Sequence, residues 1–267
     1  MGQEKSEALV LRGVDFSESS RIVTFLTPER GRMACLAKGA RRTKRGLGAV
    51  LDTFNRVELV YYWKDGRQVQ TLAEASLLNA YSGIKRDFER GAYAAFPLEL
   101  AYRVAHENEP SEALYDSMLL GLGGLAAWPG AARTHVCWQV LRLLSAAGFE
   151  PSLEYCVVCG AAVGGAPGFL YEGGVACGRE RPDVWLSPGA LALLRRLAGS
   201  ERGCPAARDE PVSAEVFMVL RRYAAHQLET DFRSLRVLDE LFPGATGAAG
   251  SGSAAPQRAA RDTDETP

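Results

Sequence analysis

The run Val57-Glu58-Leu59-Val60-Tyr61-Tyr62-Trp63-Lys64-Asp65-Gly66-Arg67-Gln68-Val69-Gln70-Thr71-Leu72 decides how the chain begins to fold. β-Branched and aromatic residues lie on both sides of Asp65-Gly66, and a two-residue Asp-Gly turn, whose central positions both need positive φ, predicts a hairpin there. Toward the N-terminus, Ala8 to Leu11, Ile22 to Leu26 and Met33 to Ala37 are three further short runs bounded by turn chemistry. Pro28 and Gly31 suit a tight turn between the last two. Five strands in about eighty residues, with one longer connection, predict a small closed or partly open barrel of the OB-fold type over residues 1–80. Strand count alone would equally admit an SH3-like barrel.

The longer connection is Lys38-Gly39-Ala40-Arg41-Arg42-Thr43-Lys44-Arg45-Gly46-Leu47-Gly48, in which three glycines keep the backbone free and five cations crowd one segment. Like charges so close repel one another unless an anion neutralises them. Taken alone, such a run is as well read as a solvated loop; at the mouth of a small barrel it reads as a phosphate-binding element. The whole chain argues the other way at first sight, since 267 residues carry 31 Lys+Arg against 32 Asp+Glu, a formal charge of −1. Divided along its length, the balance separates. Residues 1–80 hold 13 basic and 9 acidic residues, and residues 81–243 hold 16 and 20. Between Arg30 and Leu51 stand seven cations (Arg30, Arg32, Lys38, Arg41, Arg42, Lys44, Arg45) and no acid, a local positive field.

From Tyr81 the hydrophobic period changes from two to 3.6. Ile84, Phe88, Tyr93, Phe96, Leu100 and Val104 recur at helical spacing, Pro97 marks a kink or a fresh start, and Ser111-Glu112 opens another helix toward Trp128. Val136, Val140, Leu141 and Leu144 form an amphipathic stripe closed by Gly148. Ser187-Pro188 begins a helix that ends at Gly199, and Ser213 caps one carrying Val216, Phe217, Leu220, Tyr223 and Ala224. These stripes predict the core of a helical domain over residues 81–243, giving an α+β multidomain chain. Residues 244–267 are mostly Gly, Ala, Ser, Thr and Pro and predict a disordered tail.

Within the helical part, residues 153–183 read as an inserted knuckle. Cys156-Val157-Val158-Cys159-Gly160 is followed, seventeen residues beyond Cys159, by Cys177 after Gly173-Gly174-Val175-Ala176. This matches three ligands of C-x2-C-x15–20-C-x2-C, the spacing in which two tight turns aim thiolates at one zinc ion. The fourth position holds Glu180 between Arg179 and Arg181, a hard carboxylate ill suited to a structural thiolate site, and Cys204 lies a helix away. The segment is either a zinc knuckle with Cys156, Cys159, Cys177 and a fourth ligand in question, or a relic whose cysteines are merely buried. Cys35 and Cys137 sit on apolar faces and read as small buried hydrophobes.

No run of ~18 apolar residues and no apolar leader occurs, which predicts a cytosolic chain that does not enter a membrane. The M-G-x-x-x-S start fits myristoylation only as a bare pattern. There is no G-x-x-x-x-G-K-[ST] loop, G-x-S-x-G elbow or H-E-x-x-H pair, and His106, His135 and His226 have no catalytic setting, so no enzyme is expected and no nucleotide cofactor.

Leu26-Thr27-Pro28-Glu29-Arg30-Gly31-Arg32, Ala37-Lys38-Gly39-Ala40-Arg41-Arg42, the Cys156-x-x-Cys159-Gly160 and Gly173-Gly174-Val175-x-Cys177 pair, and Arg233-Ser234-Leu235-Arg236 stand in an order that closely resembles the RecO family of bacterial DNA repair proteins, over residues 5–243. The resemblance implies an N-terminal OB-fold, a helical domain and an inserted zinc knuckle. It further implies a non-enzymatic recombination mediator of the bacterial cytoplasm and nucleoid. Such a protein binds single- and double-stranded DNA, anneals complementary strands, and works with RecR to load RecA on strands coated by single-stranded DNA-binding protein, whose acidic C-terminal tail is received by an apolar pocket. Many relatives carry a fourth cysteine where this chain has Glu180. On this reading Lys38, Arg41, Arg42, Lys44 and Arg45 contact phosphates, Arg30 and Arg32 extend the track, and Tyr61, Tyr62 and Trp63 offer stacking surface, with at least one of the three facing the core. Barrel and basic loop alone would equally fit an RNA-binding OB protein with a zinc knuckle.

Overall fold

A computed structural model describes residues 2–41, 47–179, 181–205 and 212–243. Five strands, β1 (Gly2–Asp15), β2 (Arg21–Thr27), β3 (Gly31–Ala37), β4 (Arg56–Trp63) and β5 (Val69–Asn79), close into a barrel in the order β1-β2-β3-β5-β4. All pairs are antiparallel except β3 with β5, where Cys35 faces Gln70. That is the OB arrangement, and it excludes the SH3-like alternative. Period-two alternation builds the interior: Val23 and Phe25 on β2, Met33, Cys35 and Ala37 on β3, and Val57, Leu59 and Tyr61 on β4 all point inward. A single turn of helix, α1 (Leu47–Val50), plugs one end with Leu51.

The β4–β5 connection departs from the expected two-residue turn. The last β4–β5 pair is Tyr62 with Thr71, β4 ends at Trp63 and β5 begins at Val69, and among the residues between them only Gly66 has positive φ (72°). The buried Gln70 side chain explains the longer loop: its amide oxygen accepts from the Lys64 N–H, and its Nε2 donates to the Lys64 and Arg67 carbonyls. A side chain here replaces the ladder hydrogen bonds that a tighter turn would have supplied.

Beyond α2 (Ser82–Lys85), the helical body comprises α3 (Phe88–Val104), α4 (Glu112–Ala126), α5 (Ala132–Ala146), α6 (Pro188–Ala198), α7 (Ser213–Gln227) and α8 (Arg233–Leu241). α3 runs through Pro97 without restarting; the proline forfeits one hydrogen bond, while Phe96, Leu98, Leu100 and Ala101 around it are buried. Phe88, expected in the core, is exposed, its ring centroid 5.9 Å from that of Phe242. α5 is buried almost all round, including Thr134, His135, Trp138 and Gln139, so it is a central helix and not a one-sided stripe. Gly148 ends it with φ 81°, its N–H donating to Ser145 and the Phe149 N–H to Leu144, a Schellman closure. Ser187 caps α6 through a bond from the Ala190 N–H, with Pro188 at the first helical position. Ser213 is the first residue of α7 and does not cap it; Val212 holds that position.

The barrel is clasped to the helices by its β2–β3 hairpin. Gly31 adopts φ 56°, and a Cβ there would stand 2.2 Å from the Glu109 carbonyl oxygen, so only glycine permits the α3–α4 loop to approach. That loop pairs with the hairpin through Arg32 N–H to His106 O, Asn108 N–H to Arg32 O and Ser111 N–H to Pro28 O. Leu9, Leu11 and Leu26 of the barrel join the core of the helical body.

Candidate nucleic-acid interface and cysteine cluster

The seven predicted phosphate ligands divide by environment. Arg30 donates to both oxygens of Glu4, at 2.8 and 3.1 Å, and its guanidinium lies 3.8 Å from the Trp63 ring centroid. Tyr61, buried, donates to the same carboxylate at 3.0 Å; burial, then that hydrogen bond, pushes its phenol up to about 12. Arg32 donates to the Tyr102 carbonyl at 2.8 Å and to Glu107 at 3.2 Å, with Tyr102's ring 4.8 Å away. Both arginines are thus engaged within the chain, Arg30 closing the barrel edge and Arg32 tying β3 to α3. Lys38 is exposed and has no carboxylate partner among the described residues. Arg41 reaches across to the β1–β2 loop, with Nε 3.6 Å from Asp15 and Nη1 donating to the Ser17 carbonyl at 3.2 Å. Arg42, Lys44 and Arg45 lie outside the described residues.

Of the three candidate stacking residues, Tyr61 faces the core, Tyr62 is exposed and Trp63 is half-buried beneath Arg30. This follows from the pleat of β4.

The cysteine cluster forms as its spacing predicts. Cys156, Cys159 and Cys177 place their Sγ atoms within 4.8 Å of one another, Cys159 and Cys177 at 3.6 Å. Sulfur atoms at ~2.3 Å from one tetrahedral zinc would stand roughly 3.8 Å apart, so the three sit near three corners of such a site. Gly160 with φ 72° lets the chain double back after Cys159, its N–H donating to the Cys156 carbonyl, and Gly178 with φ 81° does the same after Cys177. The knuckle is held by a three-stranded sheet that sequence reading missed, in the order β7-β6-β8: β6 (Gly168–Leu170), β7 (Gly174–Ala176) and β8 (Val184–Trp185). Strands of two or three residues carry too little periodicity to be seen. The Cys177 N–H donates to Cys156 Sγ at 3.3 Å. Burial opposes ionisation of Cys156, but N–H groups of Cys159, Cys177 and Val158 outweigh it and bring the thiol down to about 6. These three sulfurs can hold a metal ion. Glu180 lies outside the described residues, and Cys204 is not part of the cluster of sulfurs but lies near Cys137. Cys35 and Cys137 are fully buried, as expected of small hydrophobes.

A depression of about 610 Å3 lies between α7 and α8, where Met218, Phe232 and Leu235 form apolar wall and Arg222 and Arg236 stand at the rim. Arg221 there is held by both oxygens of Asp239. A cleft of about 650 Å3 separates the barrel from α3 and α8.

Residues 1–81 match the family described as Recombination protein O N terminal, and residues 85–236 match Recombination protein O C terminal. DNA repair protein RecO of Anaeromyxobacter dehalogenans (strain 2CP-C) is 34% identical over 253 residues, covering 91% of this chain and 98% of that protein. DNA repair protein RecO of Bifidobacterium adolescentis is 33% identical, covering 88% of this chain and 98% of the relative. That of Nocardioides sp. is 35% identical with the same coverage. Among the described residues no helix is long and apolar enough to cross a membrane.

Proposed function

From the membership of this chain in the RecO family of DNA repair proteins, we propose that it is a non-enzymatic recombination mediator of the bacterial cytoplasm and nucleoid. It binds single- and double-stranded DNA, anneals complementary strands and acts with RecR to load RecA on strands coated by single-stranded DNA-binding protein. In this reading residues 1–80 are the nucleic-acid-binding part, and the more acidic residues 81–243 face protein partners.

The observation that carries the reading is Lys38, exposed and without a carboxylate partner among the described residues, at the entry to the basic loop of an OB-like barrel, with Arg41 of the same connection reaching to Asp15 and Ser17. Phosphate contacts from Lys38, Arg41, Arg42, Lys44 and Arg45 are indifferent to sequence, which suits a protein that must act on any exposed strand. Annealing needs no fuel: cations offset the repulsion between two phosphate backbones and concentrate the strands. Arg30 and Arg32 serve this surface chiefly by fixing it to the barrel and the helices.

Replacing Arg41, Arg42, Lys44 and Arg45 with alanine should weaken binding to oligonucleotides of every sequence and flatten the dependence of log K on log salt by roughly 0.7 per lost single-strand contact. Unchanged affinity would overturn the loop assignment. Nucleotide-free annealing of bare and protein-coated strands tests mediation, and failure on both sinks it. Tighter binding of a matched RNA strand than of DNA would favour an RNA-directed protein instead.

The depression between α7 and α8, with apolar walls and Arg222 and Arg236 at its rim, suits the acidic tail of single-stranded DNA-binding protein. Zinc at Cys156, Cys159 and Cys177 would cross-link the knuckle to the β6–β8 sheet and stabilise that insertion. Less than about a tenth of an equivalent of zinc after purification without chelator would refute the metal.

A further inference from the structure

The cleft between barrel and helices is lined by Arg12, Arg103 and Arg233, with Leu11, Val14, Phe54, Leu98 and Tyr102 supplying apolar and aromatic wall. Among the described residues that line it the one acid is Glu99, and that carboxylate is already committed. Oε1 accepts the Arg233 N–H at 3.2 Å and lies 3.6 Å from Arg103, while Oε2 accepts the Ser234 N–H at 2.8 Å and its hydroxyl at 2.7 Å. These bonds hold Glu99 below the usual carboxylate range although burial works the other way. Arg12 and Arg233, by contrast, are exposed and have no carboxylate partner among the described residues; Arg12 meets only the Tyr102 ring, at 5.6 Å. The cleft is therefore electropositive inside a body whose overall charge is acidic.

It is also continuous with the basic loop. Arg41 Nε lies 3.6 Å from Asp15 Oδ2 and Arg21 Nε 3.2 Å from Asp15 Oδ1, so one carboxylate bridges two guanidiniums at the end of β1. Arg21 folds back over Gly13, where a Cβ would stand 2.7 Å from its Nη2, and Gly13 is itself part of the cleft wall beside Arg12. Cations thus follow one another from the loop, around the β1–β2 corner and into the cleft. At the far side Thr53, Phe54 and Gly91 also line a second depression, which carries Asp52, Lys85 and Asp87. A cleft with Arg12, Arg103 and Arg233 along it and the aromatic residues Tyr102 and Phe54 in its lining suits a polyanionic strand with flat bases better than an apolar peptide.

We propose that this cleft is a second binding station for a single-stranded phosphodiester backbone, with Arg12, Arg103 and Arg233 as phosphate ligands and Tyr102 and Phe54 as wall for the bases. A strand held on the basic loop continues through it, so that α3 and α8 belong to the DNA footprint. The proposal rests on the DNA-binding reading of the loop and extends it to the helical body.

The test is fluorescence anisotropy of a labelled oligo-dT strand over a salt series, comparing the full chain with R12A/R233A, with the lysine pair R12K/R233K and with the loop variant above. Among the described residues Arg12 and Arg233 have no ion pair to lose, and an unchanged unfolding midpoint verifies that the alanine pair folds. Loss of two contacts should reduce the salt slope by about 1.4 and weaken binding about 25-fold near 0.1 M salt, with the lysine pair close to the parent. Parent-like binding by the alanine pair, with the loop variant weakened, overturns the cleft and leaves the loop reading intact. Absence of DNA binding by the parent overturns both. Loss of binding to a short poly-glutamate peptide, with the DNA slope unchanged, identifies an acidic peptide as occupant and also overturns the proposal.

Discussion

Acidification should weaken the helical body through one histidine. His135 on α5 is buried, with its ring centroid 5.1 Å from that of Trp128 and 5.3 Å from that of Trp138. Nε2 lies 2.9 Å from the Gly121 carbonyl and donates to it, while Nδ1 has no partner among the described residues. A second proton would add a charge and an unanswered N–H to an apolar site. Burial therefore lowers the imidazole from 6.5 to about 4, more than the Gly121 carbonyl raises it. Between those two values the unfolded chain binds a proton that the folded chain refuses. The contribution is fully present above about 6.5 and is lost as the pH falls toward 4. About 2.5 pH units at ~1.36 kcal/mol each gives roughly 3 kcal/mol, a large share of a stability that is typically about 5–15 kcal/mol. Urea unfolding followed by tryptophan fluorescence, at steps from about pH 7 to about pH 4, measures it against His135→Gln. Losing the ring costs the variant stability at every pH, so the decisive quantity is the change across the series. The parent should lose about 3 kcal/mol more than the variant over that window. Parallel curves would refute the argument that burial keeps this imidazole neutral.

Gly124→Ala would place a Cβ 2.7 Å from His135 Cε1, and this overpacking should cost about 1–3 kcal/mol in urea unfolding with the m-value unchanged. Arg32→Ala removes the bonds to the Tyr102 carbonyl and Glu107 that join β3 to α3; calorimetry should show the barrel melting earlier than the helices, at a loss of about 1–3 kcal/mol. Glu99→Gln weakens the anchoring of α8. Because the folded carboxylate titrates below its unfolded value, the loss of about 1 kcal/mol should be present near pH 7 and vanish as the pH falls through the folded value, as read by unfolding midpoints along a series descending from about pH 7.

Several parts of the molecule were legible residue by residue. Alternation in Val57 to Tyr61 specified which side chains enter the barrel, because a pleated strand has only two faces. Ser187-Pro188, Gly148 and the C-x-x-C spacing acted locally, through caps and turns that involve only neighbours in sequence. Where reading failed, a group outside the pattern being read had intervened. Gln70 lengthened the Asp65-Gly66 turn, the surrounding core carried α3 through Pro97, and burial on every side made α5 central. The candidate site divides in the same way.

Sequence alone determined that there would be a small five-stranded barrel with a basic loop, a helical body and a three-thiolate knuckle, because each depends on periodicity, composition or short spacing; the strand order that makes the barrel OB-type came with the tertiary structure. Only the tertiary structure decided which cations are spoken for. Arg30 and Arg32 find Glu4 and Glu107, at 26 and 75 residues' separation, and Glu99 is consumed by α8 more than 130 residues further on. Ion pairing is governed by distance in space, so a net charge counted along the chain gives no account of which arginines remain open to a phosphate.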